Sequence, residues 1–223
     1  MYKRFAFSVA LIAACALSQA DYFGQYGNVN LVNDGPNGTA YQITSDNSLS
    51  TAWGGVYYVP NAGTTLNDLT TVSSDFSWLQ GTFGGGAPRF SLGLTNGSVS
   101  HEAWVYWGTG PSYTDNPGAG WQNTGNLLAS PDNRFDTSSF SSFGGQYGDN
   151  AAHMFSILGS WTVQYVSLDL DGGWSQTGGI QQMNVTNFQV NGATIPVPEP
   201  ASMAALAIGG LALLRRRRSS GKA

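Results

Sequence analysis

Between Asp21 and Pro200 the chain contains no lysine, almost no glutamate and two arginines, Arg89 and Arg134. Long solvent-facing helices are built from Lys, Glu, Gln, Arg and Ala, so this stretch is poor helix material. Gly, Asn, Ser and Thr abound in it, with many Trp and Tyr. Aromatic and β-branched residues suit a pleated, half-buried surface, and Gly and Asn suit tight turns. The aromatics also supply the apolar area that a disordered Gly/Ser-rich chain lacks. The stretch is about 180 residues long, enough for one domain with a real core.

Short runs mark the strands. They are Asn28 to Val32; Thr39 to Thr44, with Tyr41 and Ile43 on one face; Ala52 to Val59, stopped by Pro60-Asn61; and Arg89 to Thr95, with Phe90, Leu92 and Leu94 together. Asn96-Gly97 predicts a hairpin into Ser98 to Trp107. Trp161 to Leu170 is the strongest run. Trp161, Val163 and Tyr165 share one parity and Val166, Leu168 and Leu170 the other, which predicts a bulge or a strand buried on both sides. Met183 to Val190, Asn191-Gly192 and Ala193 to Ile195 read as a second hairpin. Helical spacing is confined to Leu66, Leu69 and Val72 within Thr65 to Leu79, where Thr and Ser crowd it. Asn150 to Leu158 has room for two turns, capped by Asp149 or Asn150. Gly108 to Gly148 reads as loops with a few short strands. The expectation is an all-β chain: a single β-sandwich or jelly-roll-like domain over residues 21–195, flanked by two other segments.

The flanking segments hold every other basic residue. Lys3 and Arg4 precede an apolar run, Phe5 to Leu17, and Ser18-Gln19-Ala20 places small residues before a cut. This is the layout of a secretory signal peptide over residues 1–20, with cleavage between Ala20 and Asp21. Ile12-Ala13-Ala14-Cys15 loosely resembles a lipobox, but the apolar stretch before Cys15 is short. Cleavage after Ala20 discards that cysteine, the only one, and leaves no thiol for a disulfide or a metal. At the other end, Pro198-Glu199-Pro200 precedes an apolar run, Ala201 to Leu214, and then Arg215, Arg216, Arg217 and Arg218. Fourteen helical residues reach about 21 Å, short against a bilayer core of about 30 Å, so the arginines must snorkel. The basic ends orient the chain with everything between them outside the cytoplasm.

The order Pro-Glu-Pro, apolar helix, arginine cluster over residues 196–223 resembles the PEP-CTERM sorting tail. The resemblance implies transient membrane insertion, an exosortase-type membrane protease as partner, and delivery to the cell surface or the matrix of an organism that makes extracellular polysaccharide. The body is similar to uncharacterised exported β-sandwich proteins through Gly85-Gly86-Ala87-Pro88-Arg89-Phe90-Ser91, Trp121 to Leu127, Leu168 to Trp174 and Val185 to Gly192. That similarity implies an architecture and carries no assigned activity.

The chemistry of the body excludes several classes. Residues 21–200 carry all thirteen acids against two arginines, a formal charge of −11, which repels phosphate backbones and excludes nucleic acid as a partner. His101-Glu102 lacks the second histidine of a zinc protease, His153 stands alone, and neither a Gly-x-Ser-x-Gly elbow nor a phosphate-binding loop occurs. Glu102 with Asp169 or Asp171 is the one carboxylate pair a glycan hydrolase could use. Asp169-Leu170-Asp171-Gly172, and Asp132-Asn133 with Asp136, offer oxygens of the kind calcium takes, but a solvated strand end is the simpler reading, so no metal or cofactor is expected. Trp104, Tyr106, Trp107, Tyr113 and Trp121 cluster in sequence, with Trp104 and Tyr106 opposite in parity to Trp107. From these, Trp107, Tyr113 and Trp121 are the candidates for stacking on the rings of a neutral polysaccharide. The expectation is a non-enzymatic, exopolysaccharide-associated surface protein. The alternatives are a purely structural one or a glycan-active hydrolase.

Overall fold

A computed structural model describes residues 21–36, 38–49, 53–81, 88–111, 113, 118–170 and 179–196. The signal segment, and the sorting tail beyond Pro196, lie outside these residues. Among the described residues thirteen strands are present: β1 (Tyr22–Gly27), β2 (Val29–Gly35), β3 (Gly38–Ser45), β4 (Gly54–Val59), β5 (Val72–Gln80), β6 (Arg89–Thr95), β7 (Ser100–Tyr106), β8 (Trp121–Asn123), β9 (Phe135–Asp136), β10 (Tyr147–Asp149), β11 (Thr162–Leu170), β12 (Gln181–Val190) and β13 (Ala193–Thr194). The α-helix α1 (Ala151–Leu158) joins them.

The strands form two antiparallel sheets. The first has seven strands in the order β1-β4-β11-β6-β7-β9-β10. The second has six, in the order β2-β3-β12-β5-β8, with β13 added beside β12. Alternation explains the layering. Phe90, Leu92 and Leu94 of β6, Val166 and Leu168 of β11, and Ile43, Phe76 and Phe188 of the other sheet are fully buried between the two. This is the β-sandwich expected of the sequence.

Local chemistry accounts for the joints. The chain passes from β1 in one sheet to β2 in the other at Gly27, whose φ of +66° puts it in the left-handed region. An added Cβ there would strike the Trp53 carbonyl. The parity switch in β11 is a register shift between Val163 and Tyr165 against β6, so Val163 and Val166 both point inward. Asn150 caps α1 by accepting a hydrogen bond from the His153 amide at 3.0 Å, while Met154 and Leu158 plug the core.

Two expectations need correction. Leu66 and Leu69 do not begin a helix of any length: a single 3₁₀ turn, Leu66–Asp68, gives way to β5. Asp68 there accepts from the Thr65 amide and hydroxyl at 2.8 and 2.7 Å, and the Thr/Ser run that follows is strand material. The second correction is β1, which was not anticipated because Gly24 and Gly27 interrupt its pattern.

Candidate functional site

The outer face of the seven-stranded sheet carries three cross-strand rows. In the first, Tyr26 is opposite Gly55, Gly55 opposite Asp169, Asp169 opposite Arg89, and Arg89 opposite Tyr106. The second runs Gly24, Tyr57, Ser167, Ser91, Trp104 and Asp136. The third contains Tyr165, Gly93 and Glu102. Three tyrosines each lie over a glycine of the neighbouring strand: Tyr57 over Gly24, Tyr26 over Gly55 and Tyr165 over Gly93. A Cβ added at Gly55 would sit 2.7 Å from the Tyr26 hydroxyl, and at Gly24 or Gly93 it would overlap a tyrosine ring. The glycines therefore let the rings lie down on the sheet.

A polar network runs between the rings. Asp169, 3 % exposed, accepts from Arg89 Nε and Nη2 at 2.9 and 2.6 Å with one oxygen, and from the Ser91 and Ser167 hydroxyls at 2.8 and 3.0 Å with the other. Arg89 also stands 5.9 Å from the centre of the Trp104 ring, a cation–π distance. The Tyr165 hydroxyl donates to Glu102 Oε1. Burial raises the phenol pKa of Tyr26 and Tyr165, helped by the Asp169 charge for the first and the Glu102 hydrogen bond for the second. Burial also lifts that of Tyr106 to about 12. These hydroxyls stay neutral donors and acceptors at any physiological pH.

Two adjoining clefts open on this face, each of about 290 Å³ and both walled by Tyr26. One is aromatic, with Tyr57, Val59, Gln164, Tyr165 and Ser167. The other is charged, with Arg89, Ser91, Glu102, Asp169 and Leu170, and carries at its rim Trp53, 51 % exposed. Together they make a groove with flat apolar surfaces and fixed polar groups, the mixture that ring-shaped polyhydroxyl ligands require.

The residues singled out from sequence are not brought together there. Tyr113 is 3 % exposed. Its ring stacks 4.3 Å from that of Tyr106, and its hydroxyl donates to the Phe135 carbonyl at 3.0 Å, so it has no open ring face. Trp107 packs against the core, edge-on to Phe76 at 5.8 Å, with Trp104 and Tyr106 on the opposite face as their parity predicted. Trp121 lies on β8 at the edge of the other sheet, opposite Ser77. Asp169 is not at a solvated strand end but in the buried ion pair with Arg89, and Asp171 lies outside the described residues. Asp132 pairs with Arg134 at 2.8 Å, and Asp136 accepts from the Ser138 amide at 2.9 Å. Among the described residues no three His, Cys, Asp or Glu side chains group as a metal site would need. Tyr26, Tyr57, Tyr165 and Trp53 were missed. Tyr57 and Tyr165 share the outward parity of their strands, but nothing local placed them beside the same groove.

These features define a two-sheet β-sandwich with one aromatic and polar outer face. Residues 196–218 match the PEP-CTERM protein-sorting motif. The chain is thus an exported protein sorted by way of exosortase, as that motif implies. Among the described residues no helix is long and apolar enough to cross a membrane. No curated protein matches the chain by sequence. A solved structure described as an exo-beta-agarase aligns with 82 % of this chain at 13 % identity and a TM-score of 0.34, a likeness too distant to bear on activity. The aligned region is 25 % of that protein's length.

Proposed function

We propose that the sorted protein is a non-catalytic surface or matrix component that associates with neutral extracellular polysaccharide through the outer face of its seven-stranded sheet. The observation that carries this reading is the set of tyrosines laid flat on Gly24, Gly55 and Gly93 around the polar groups of one groove. A row of flat rings suits a polymer of flat rings, and phenol, amide and carboxylate groups suit its hydroxyls. The acidic body disfavours anionic polymers at long range. A hydrolase reading draws on Glu102 and Asp169 lining one cleft. It is weakened by the four hydrogen bonds on Asp169, which leave neither oxygen free to take up a proton or attack a sugar.

Electrophoresis through gels containing neutral β-glucans, galactans, mannans or xylans tests the proposal. At least one polymer should retard the protein, with little dependence on salt. Trp53→Ala and Tyr57→Ala should each weaken that retardation by about 0.5–1.5 kcal/mol, the worth of one aromatic stacking contact. A folded protein that no neutral polymer retards would leave the purely structural reading in its place.

A further inference from the structure

We infer that Glu102 decides which polysaccharides the groove admits: it accepts a hydroxyl of a neutral sugar and turns away chains that carry carboxylate or sulfate groups. The inference rests on the proposed function and adds to it the residue that sets, inside the groove, which polymers are admitted.

The charges in the cleft lead to this reading. Among the described residues that line the cleft, one cation, Arg89, meets two carboxylates, Asp169 and Glu102. Arg89 and Asp169 neutralise each other through a two-point contact, and Ser91 and Ser167 occupy the remaining Asp169 oxygen. Glu102 Oε1 takes the Tyr165 hydroxyl, while Oε2 has no protein donor among the described residues. Arg134, the other arginine of the body, is held by Asp132 and by the carbonyls of Tyr106 and Trp107. One carboxylate oxygen therefore keeps both its charge and its accepting capacity inside the groove.

Such an oxygen is a strong partner for a hydroxyl, because hydrogen bonds to ionised acceptors are about twice as strong as neutral ones. Facing an anion it is repulsive, and like charges set against each other in an interface carry a heavy penalty. Glutamine at this position keeps an accepting oxygen and removes the charge.

The test compares the wild type and Glu102→Gln on matched polymers. The neutral polymer that best retards the wild type is used beside its own carboxymethylated form. The readout is the ratio of neutral to carboxymethylated retention. It is expected to be large for the wild type and to fall about tenfold in Glu102→Gln, with near-UV circular dichroism confirming the fold. A second measurement needs no variant: raising the salt concentration should lower the wild-type ratio, because ions screen the repulsion. A ratio that the substitution leaves unaltered overturns the inference, whatever salt does, because salt also screens the repulsion from the acidic body, and it leaves the proposed function standing. Equal wild-type retention of both polymers overturns it too. Failure of the wild type to bind any neutral polymer overturns the proposed function and the inference together.

Discussion

Replacing Arg89 with methionine removes two charge-assisted donors from a carboxylate that is almost wholly out of water. The Asp169 side chain is 4 % exposed and that of Arg89 13 %, so solvent cannot replace what is lost. A hydrogen bond to a charged group contributes roughly 1.5–3 kcal/mol, so losing the contacts from Nε and Nη2 costs about 3–6 kcal/mol. Breaking one side of a buried ion pair costs about 3–5 kcal/mol by the same reasoning, because the survivor is left uncompensated. The Ser91 and Ser167 hydroxyls remain and hold the loss toward the lower end. Arg89→Met should therefore lower stability by about 3–5 kcal/mol. In the double variant Arg89→Met/Asp169→Leu both charges are gone but the buried Ser91 and Ser167 hydroxyls lose their acceptor, so stability should recover only in part, to about 1–3 kcal/mol below wild type. Urea unfolding followed by tryptophan fluorescence, with equal slopes for all variants, measures both. A loss under about 1 kcal/mol in the single variant, or a double variant no more stable than the single one, refutes the claim that this pair is buried and mutually dependent.

Three further outcomes are expected. Gly93→Ala pushes a Cβ into the Tyr165 ring, so it should cost about 1–3 kcal/mol in an otherwise wild-type chain and much less beside Tyr165→Ala; equal costs in both backgrounds would mean the ring does not lie on the glycine. Burial raises the phenols of Tyr58 and Tyr106 to about 12, above the unfolded value near 10, so the folded chain keeps protons that the unfolded chain gives up. That contribution to stability is complete below pH ~10 and is lost as pH rises from about 10 towards 12; phenolate absorbance in which all nine tyrosines of residues 21–223 titrate together near pH 10 in the folded protein would contradict it. Alanine at Pro198, Glu199 and Pro200 should leave a membrane-held precursor that keeps its C-terminal residues, and an intact mass equal to that of the wild-type mature protein would argue against processing at this tail.

The sorting motif could be read in the sequence because its information is linear: a motif, an apolar run and a basic cluster in order. Most of the sheet was legible for a related reason, since period-two alternation is a local property of the strand. It located β3, β6, β7, β11 and β12, signalled either a bulge or a doubly buried strand in β11, of which the structure has the bulge between Val163 and Tyr165, and put Trp104 and Tyr106 opposite Trp107. The cap of α1, Asp149 or Asn150 by sequence and Asn150 in the structure, was equally local. Alternation says which side chains share a face of one strand, but not which strand lies beside it. Tyr26, Tyr57 and Tyr165 come from β1, β4 and β11, whose pairings span long stretches of chain, so no window of sequence contained their groove. The glycines beneath them looked like interruptions, and only the neighbouring strand supplied the rings that require their missing side chains. Likewise Asp169 followed by Leu170-Asp171-Gly172 has the composition of a wet turn. Its burial was decided by β6, which places Arg89 and Ser91 within hydrogen-bonding reach, because a carboxylate leaves water only where the fold provides the donors that water provided before.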